Sequence, residues 1–377
     1  MNEDSRITVM QLLPDLNSGG VEKSTIEMAQ ALIEKGHRAI VVSAGGTLVP
    51  QLEAIGAEHI TMDIGRKSFA TLKLVTPLRE LILREKPDIV HARSRLPAWI
   101  GWLALKKLPR KERPLWITTV HGLNSPSFYS KIMTSGDKVI VVSNVVRDYV
   151  LKHYKGLDVT KLVVVPRGIN PEKYPLRTMG EGKEARALLA ETIPEIGGDG
   201  PLLLMPGRGT RLKGHHVAIE LTRKLRDQGV DARLWLLGTD DPVRAAYVNE
   251  LRALVRRLQL EDFVAITEYV PDVAQALSAS RVVLQLSRKP EAFGRTVIEA
   301  LSTGRPVVGW NHGGVGEILG ALYPQGLVRA FDANELAEKT MESLDADYWR
   351  KSEIPYTLSA MQEATLRVYL DALANRP

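Results

Sequence analysis

The chain has 377 residues, 44% of them apolar and 25% charged, with a formal net charge of +6. That length exceeds one typical core and predicts two domains of about 150 to 200 residues each, and the balance of residue types excludes a disordered or fibrous chain. Cysteine is absent, which excludes disulfides and thiolate chemistry and fits a reducing compartment.

The start, Met1 to Arg6, is short and polar and runs directly into the apolar stretch Ile7 to Leu13. It lacks the basic region, apolar segment and small-residue cleavage site of a secretory signal. No apolar run approaches the roughly 18 to 20 residues that span a bilayer. The expected location is the cytoplasm, with a peripheral place on the cytoplasmic face of the inner membrane left open. Charge is unevenly spread: through Asn170 there are 24 Lys plus Arg against 16 Asp plus Glu, and beyond it 26 against 28. A basic first half suits nucleic acid, anionic lipid or a phosphorylated acceptor, and charge alone does not choose among them.

In chain order, the apolar strand Ile7 to Leu13 is broken by Asn17-Ser18-Gly19-Gly20. A helix is expected over Glu22 to Lys35, ended by Gly36, and then a strand at Ala39 to Ser43. Further short apolar strands are expected at Asp88 to His91, Trp116 to Val120, Lys138 to Ser143 and Leu162 to Val165. Such strands alternating with helical segments indicate a parallel sheet covered on both faces. From about Pro166 to Gly200 the chain becomes rich in Pro, Gly and charge, and 171–200 reads as an interdomain linker between an N-terminal domain, 1–170, and a second one, 201–355. The second series has strands at Leu202 to Pro206, Ala232 to Leu237, Phe263 to Ile266, Val282 to Leu286 and Pro306 to Gly309. Its helices are expected at His215 to Gln228, Asp241 to Leu258, Val273 to Ser278 and Thr296 to Ser302. A closing helix, Leu358 to Leu373 within 356–377, is expected to pack back toward the N-terminal domain. The fold class is α/β: two doubly wound domains, expected to face each other across a cleft, with ligands outside the C-terminal ends of the strands.

Two constellations carry chemistry. Gly207-Arg208 and Lys213-Gly214 follow the strand Leu202 to Pro206 and precede a helix. Glycines admit close backbone approach, the helix start offers unpaired N–H groups, and the two cations suit a diphosphate. A solvated basic turn is the plain alternative, since the segment is neither a P-loop nor a G-x-G-x-x-G loop. The second is Glu291-Ala292-Phe293-Gly294, with Glu299 eight residues after Glu291. Carboxylates so placed, one in a loop and one in the next helix, reach different parts of one polar ligand, such as sugar hydroxyls and a ribose. His121, at the exit of the strand ending at Val120, offers an imidazole hydrogen bond or a structural contact.

Together with Gly313-Gly314…Glu317, these motifs resemble the donor-domain signature of the retaining glycosyltransferases of family 4, which have the GT-B fold of two facing Rossmann-like domains. Gly19-Gly20-Val21-Glu22, Asp88-Ile89-Val90-His91, Thr119-Val120-His121-Gly122 and Pro166-Arg167-Gly168-Ile169 resemble that family's other landmarks, so the likeness spans nearly the whole chain. Asn170 departs from it, standing where the family commonly has Asp. The resemblance implies that Arg208 and Lys213 hold the diphosphate of a nucleotide-sugar donor, with Gly207 in the same loop. It places Glu291 on the sugar hydroxyls, Phe293 and Gly294 around them, and Glu299 on the ribose. His121 would approach the sugar and acceptor, and Gly19 and Gly20 would lie beneath the diphosphate. His121, Glu291, Arg208 and Lys213 are thus the expected catalytic set, with no metal and no cofactor beyond the donor substrate. Transfer with retention is the implied outcome, so Glu291 is not cast as a glycosidase nucleophile.

The run His91-Ala92-Arg93-Ser94-Arg95-Leu96-Pro97-Ala98-Trp99 resembles bacterial members that build the lipopolysaccharide core, making His91, Arg93 and Arg95 acceptor-side candidates, with His91 equally able to hold a strand end. The expected acceptor is then a glycan or glycolipid bearing phosphate. Trp99 and Trp102, followed by Lys106, Lys107, Arg110, Lys111 and Arg113, read either as a membrane-surface helix or as a packed helix with a solvated end. His215-His216 lacks zinc-ligand spacing and reads as helix capping or packing. The rivals are a nucleotide-sugar epimerase of the same fold and a noncatalytic nucleotide-sugar binder. A nucleic-acid partner is not expected, since no zinc finger or RNA-binding aromatic motif is present. Oligomeric state is not readable from the sequence.

Overall fold

The computed structural model describes residues 6–17, 19–345 and 354–376. Met1 to Ser5 and Ser18 of the first glycine loop lie outside the described residues, as does the stretch 346–353 near the end of the expected second domain. The chain divides into two compact units, Met1–Pro166 with Leu358–Pro377, and Arg167–Thr357.

The first unit is built on β1 (Thr8–Leu12), β2 (Arg38–Ser43), β3 (Glu58–Thr61), β4 (Ile89–Ala92), β5 (Leu115–Val120), β6 (Lys138–Val141) and β7 (Leu162–Val164). They form one sheet in the order β3-β2-β1-β4-β5-β6-β7, with parallel pairing throughout. Strand order reverses between β1 and β4, the position where doubly wound sheets open a crevice. Its core joins Val9, Val41, Ile89, Ile117 and Ile140 of the sheet to Ile26, Met28 and Leu32 of the helix Gly20–Glu34. Met361, Leu366 and Tyr369 of the terminal helix Leu358–Ala374 enter the same core.

The second unit carries β8 (Leu202–Pro206), β9 (Arg233–Leu237), β10 (Val264–Ile266), β11 (Val282–Gln285), β12 (Val307–Trp310) and β13 (Leu327–Val328), in the order β10-β9-β8-β11-β12-β13. All its pairs are parallel, and here the order reverses between β8 and β11. Leu203, Leu234, Leu284 and Trp310 meet Ala218, Leu225 and Leu336 of the covering helices in one core.

Two strands escaped the sequence expectation, β3 and β13. The first is an edge strand with polar, exposed Glu58 and Thr61, and the second is two residues long. The stretch 171–200 also differs from a linker. It holds the helix Met179–Ala190, whose N-terminus has a capping box between Thr178 and Glu181, and it belongs to the second unit. Arg305, 1% exposed, donates to the carbonyls of Ser278, Arg177 and Thr178 and fastens this helix to the helix Val273–Ala279. The Pro and Gly residues there mark turns around a packed helix, so their density misleads.

Candidate active site

The reversal between β8 and β11 brings together the loops that follow β8, β11 and β12. After β8, the chain passes Gly207 and the exposed Arg208, turns through a 3-10 segment Arg211–Lys213, and enters the helix His215–Asp227. After β11 comes the loop with Glu291, and after β12 the helix Gly313–Leu322. The Arg288 N–H donates to the Leu212 carbonyl at 2.7 Å, stitching the first two loops, and the Gly314 N–H donates to the Glu291 carbonyl at 2.7 Å, stitching the third.

Glu291 is the meeting point. Lys213 Nζ lies 2.6 Å from its Oε1, and Ser287 Oγ donates to the same oxygen at 2.5 Å. Oε2 has no protein partner among the described residues, so one carboxylate oxygen is anchored and the other is free to accept. Burial pushes the Glu291 carboxyl up. The nearby Lys213 charge, the bonds from Lys213 and Ser287, and His312 outweigh it and hold the group below the usual carboxylate range. His312 in turn sits 2.8 Å from the Ser287 carbonyl through Nε2. A carbonyl only accepts, so that nitrogen carries the proton. Ser287 and His312 escaped the sequence reading. The available signals were a hydroxyl at the exit of β11 and a histidine directly before Gly313-Gly314.

Two glycines make this packing possible. Gly294 precedes the helix Arg295–Ser302 with φ 101, a left-handed backbone that side chains resist. At Gly314 a Cβ would stand 2.4 Å from Phe293 Cα, so only glycine lets the third loop close on the second. Phe293 itself is buried and meets Tyr356 edge-on at 5.5 Å. Glu299, eight residues beyond Glu291, accepts a bond from Tyr174 Oη at 3.3 Å and lies 3.8 Å from Arg295 Nε. Arg208 makes no side-chain hydrogen bond or ion pair among the described residues. Arg288 and Lys289 add two exposed cations to the Glu291 loop.

His215 opens the helix His215–Asp227 fully buried, and burial pushes its pKa down to about 4, with the Lys213 and His216 charges adding to the effect. It packs against Tyr247 at 6.0 Å between ring centres. No group of three or more His, Asp or Glu able to hold a metal ion occurs among the described residues.

In the first unit, Gly19 and Gly20 lead from the β1 exit into the helix Gly20–Glu34, and Gly20 is open to solvent. His121 is half-buried just beyond β5. Two of the acceptor-side candidates lie in the interior. His91 is 1% exposed, bonded through Nδ1 to Tyr369 Oη and through Nε2 to Thr119 Oγ1, both at 2.7 Å. Arg93 is 4% exposed and donates to Gln11 Oε1 at 2.5 Å, Ser24 Oγ at 3.0 Å and the Ser24 carbonyl at 3.2 Å. Tyr369 of the terminal helix covers His91, and both side chains make their bonds within the interior. Arg95 stays half-buried, reaching Ser130 Oγ at 3.2 Å with its guanidinium 5.2 Å from the Tyr129 ring centre.

Comparison with known proteins agrees with this architecture. Residues 18–173 match the model for Glycosyltransferase Family 4, and residues 191–354 match that for Glycosyl transferases group 1. The crystal structure of a glycosyltransferase from Rickettsia africae ESF-5 superposes with a TM-score of 0.85 at 30% identity, covering 98% of this chain and 99% of that one. Spore coat protein SA of Bacillus subtilis (strain 168) is 24% identical over 318 residues, 80% of this chain and 78% of that protein. The fold also matches Anabaena Alr3699/HepE in complex with UDP and glucose, with a TM-score of 0.74 at 19% identity, over 98% of each chain. With two parallel-sheet domains, a family 4 match on the first and a group 1 match on the second, the chain belongs to the glycosyltransferases of GT-B type.

Proposed function

We propose that this enzyme transfers a sugar, with retention of anomeric configuration, from a nucleoside-diphosphate sugar to a phosphate-bearing glycan of the lipopolysaccharide-core type. The acceptor is presented at the cytoplasmic face of the inner membrane. The observation that carries the donor half is the junction of Lys213 and Glu291 at the reversal between β8 and β11. A cation and a half-free carboxylate at one point suit a ligand that is anionic at one end and hydroxylated at the other.

In this reading Lys213 and Arg208 bind the diphosphate, and Glu291 accepts from sugar hydroxyls. Glu299 takes the ribose, and His121 takes a sugar hydroxyl. Gly19, Gly20, Gly207, Phe293 and Gly294 shape the surroundings by the same resemblance. As the donor's anomeric carbon–oxygen bond breaks, its electron pair passes to the leaving diphosphate, where Arg208 and Lys213 stabilise the growing charge. The acceptor hydroxyl oxygen bonds to the anomeric carbon on the same face, and a diphosphate oxygen takes its proton. The acceptor half is supported by the basic excess of the first 170 residues, by Arg95, and by the resemblance around it.

The test incubates the protein with a panel of nucleotide sugars, with and without deacylated lipopolysaccharide core. Products are read by mass spectrometry and the anomeric configuration by NMR. One added sugar in the donor's own configuration, with release of nucleoside diphosphate, is expected. An inverted product refutes retention, conversion of the donor without acceptor indicates an epimerase, and transfer only to phosphate-free glycans refutes the acceptor class.

A further inference from the structure

Between Met62 and Lys131 the chain has fourteen Lys or Arg against five Asp or Glu, a local balance of +9 in a protein whose total is +6. This stretch forms the 3-10 helix Phe69–Leu74 and the helices Val75–Glu85, Arg95–Lys106 and Phe128–Lys131 of the first unit. The helix Arg95–Lys106 packs against both the helix Val75–Glu85 and the 3-10 helix. Lys67, Lys73, Lys106, Lys107, Lys111 and Lys131 are all exposed around them.

Apolar groups stand exposed among these cations. Phe69 is 94% exposed and Leu72 50%, and a spacing of three on a 3-10 helix sets both on one side. Phe128 is 79% exposed. Its ring centre is 5.3 Å from Trp99, which lies 5.8 Å from Trp102, over which Lys106 Nζ sits at 4.9 Å. An aromatic row thus runs along the helix Arg95–Lys106 and ends in a cation. One exposed apolar side chain is ordinary, but an interleaved set of rings and cations is not.

We propose that this face docks the protein on an anionic bilayer, with Phe69, Leu72 and Phe128 entering the boundary between headgroups and acyl chains and the surrounding lysines pairing with lipid phosphates. Interfacial binding needs both terms, apolar area and attraction to an anionic leaflet, and this face supplies both. Leu72 beside Phe69 favours hydrocarbon over nucleic acid, because an aliphatic group gains nothing from base stacking. The inference deepens the membrane-presented acceptor proposed above, yet docking can be read without any transfer.

The full-length protein is sedimented with vesicles of phosphatidylcholine alone and of phosphatidylcholine mixed with phosphatidylglycerol. Binding to the mixed vesicles only, weakening with added salt, is expected. Phe69→Ser with Phe128→Ser should reduce partitioning about tenfold or more. Lys106→Gln and Lys107→Gln should each reduce it about fivefold. Thermal unfolding and transfer to a soluble acceptor, both unchanged, would show that the variants fold and that only docking is lost. Failure of wild type to sediment, equal binding to neutral vesicles, or variants that bind like wild type would each overturn the proposal. Docking without transfer would instead refute the acceptor reading and leave this one standing.

Discussion

At the scale of single residues, the site depends on how Glu291 is held. Lys213 and Ser287 share one of its oxygens, so removing the serine hydroxyl leaves the ion pair but loosens its orientation. Ser287→Ala should lower kcat/KM for the donor about tenfold with little change in thermal stability, a split measurable by steady-state kinetics and unfolding on the same preparation. Arg208→Ala and Glu291→Ala should each cost about a hundredfold or more at subsaturating donor. Full activity in both would remove the proposed donor pocket. His215 carries a prediction about pH. Its folded pKa is about 4, below the roughly 6.5 of an unfolded chain, so the unfolded state takes up the proton first as pH falls. The stability it supplies is complete above about pH 6.5 and is lost toward pH 4, about 3 kcal/mol in all. His216 is also lowered by burial and shares the window. The readout is therefore the difference between wild type and His215→Gln in denaturant unfolding at pH 7 and pH 4.5, and an equal loss in both would discard the idea.

At the scale of elements, the start of the helix Gly313–Leu322 is packed against the Glu291 loop so closely that no side chain fits at Gly314. Gly314→Ala must push Phe293 back and stretch the bond from the Gly314 N–H to the Glu291 carbonyl. A cost of about 2 kcal/mol is expected, within the range for overpacking, together with a raised donor KM. Unchanged melting and unchanged KM would mean that the loop yields freely. The motifs were legible because each is a run of neighbouring residues at a strand end. The link from His312 through Ser287 to Glu291 was not, because it joins the ends of β11 and β12, which only the parallel register brings side by side. His91 and Arg93 misled for the opposite reason. The resemblance puts them on the acceptor side by their place in a motif, while a helix 278 residues beyond His91, through Tyr369, covers that histidine.

At the scale of the whole molecule, the terminal helix Leu358–Ala374 returns to complete the core of the first unit. Tyr369, fully buried, bonds His91 and packs edge-on against its ring at 5.7 Å. Tyr369→Ala should destabilise the first unit by about 3 to 5 kcal/mol through the cavity and the lost bond to His91 Nδ1. Hydrogen exchange can check this, with faster exchange expected in β1 and β4 while β8 to β12 keep their protection. Uniform loss of protection through both sheets would contradict an effect confined to the first unit.

By itself, the sequence determined the class of fold, eleven of the thirteen strands among the described residues, and two motifs at strand ends, because covered parallel strands are continuous apolar runs and the motifs are local. Tertiary structure alone decided which polar side chains stay accessible and which enter the core. His91, Arg93 and His215 look much like His121, Arg95 and His312 in sequence, and burial separates them only once distant segments have packed.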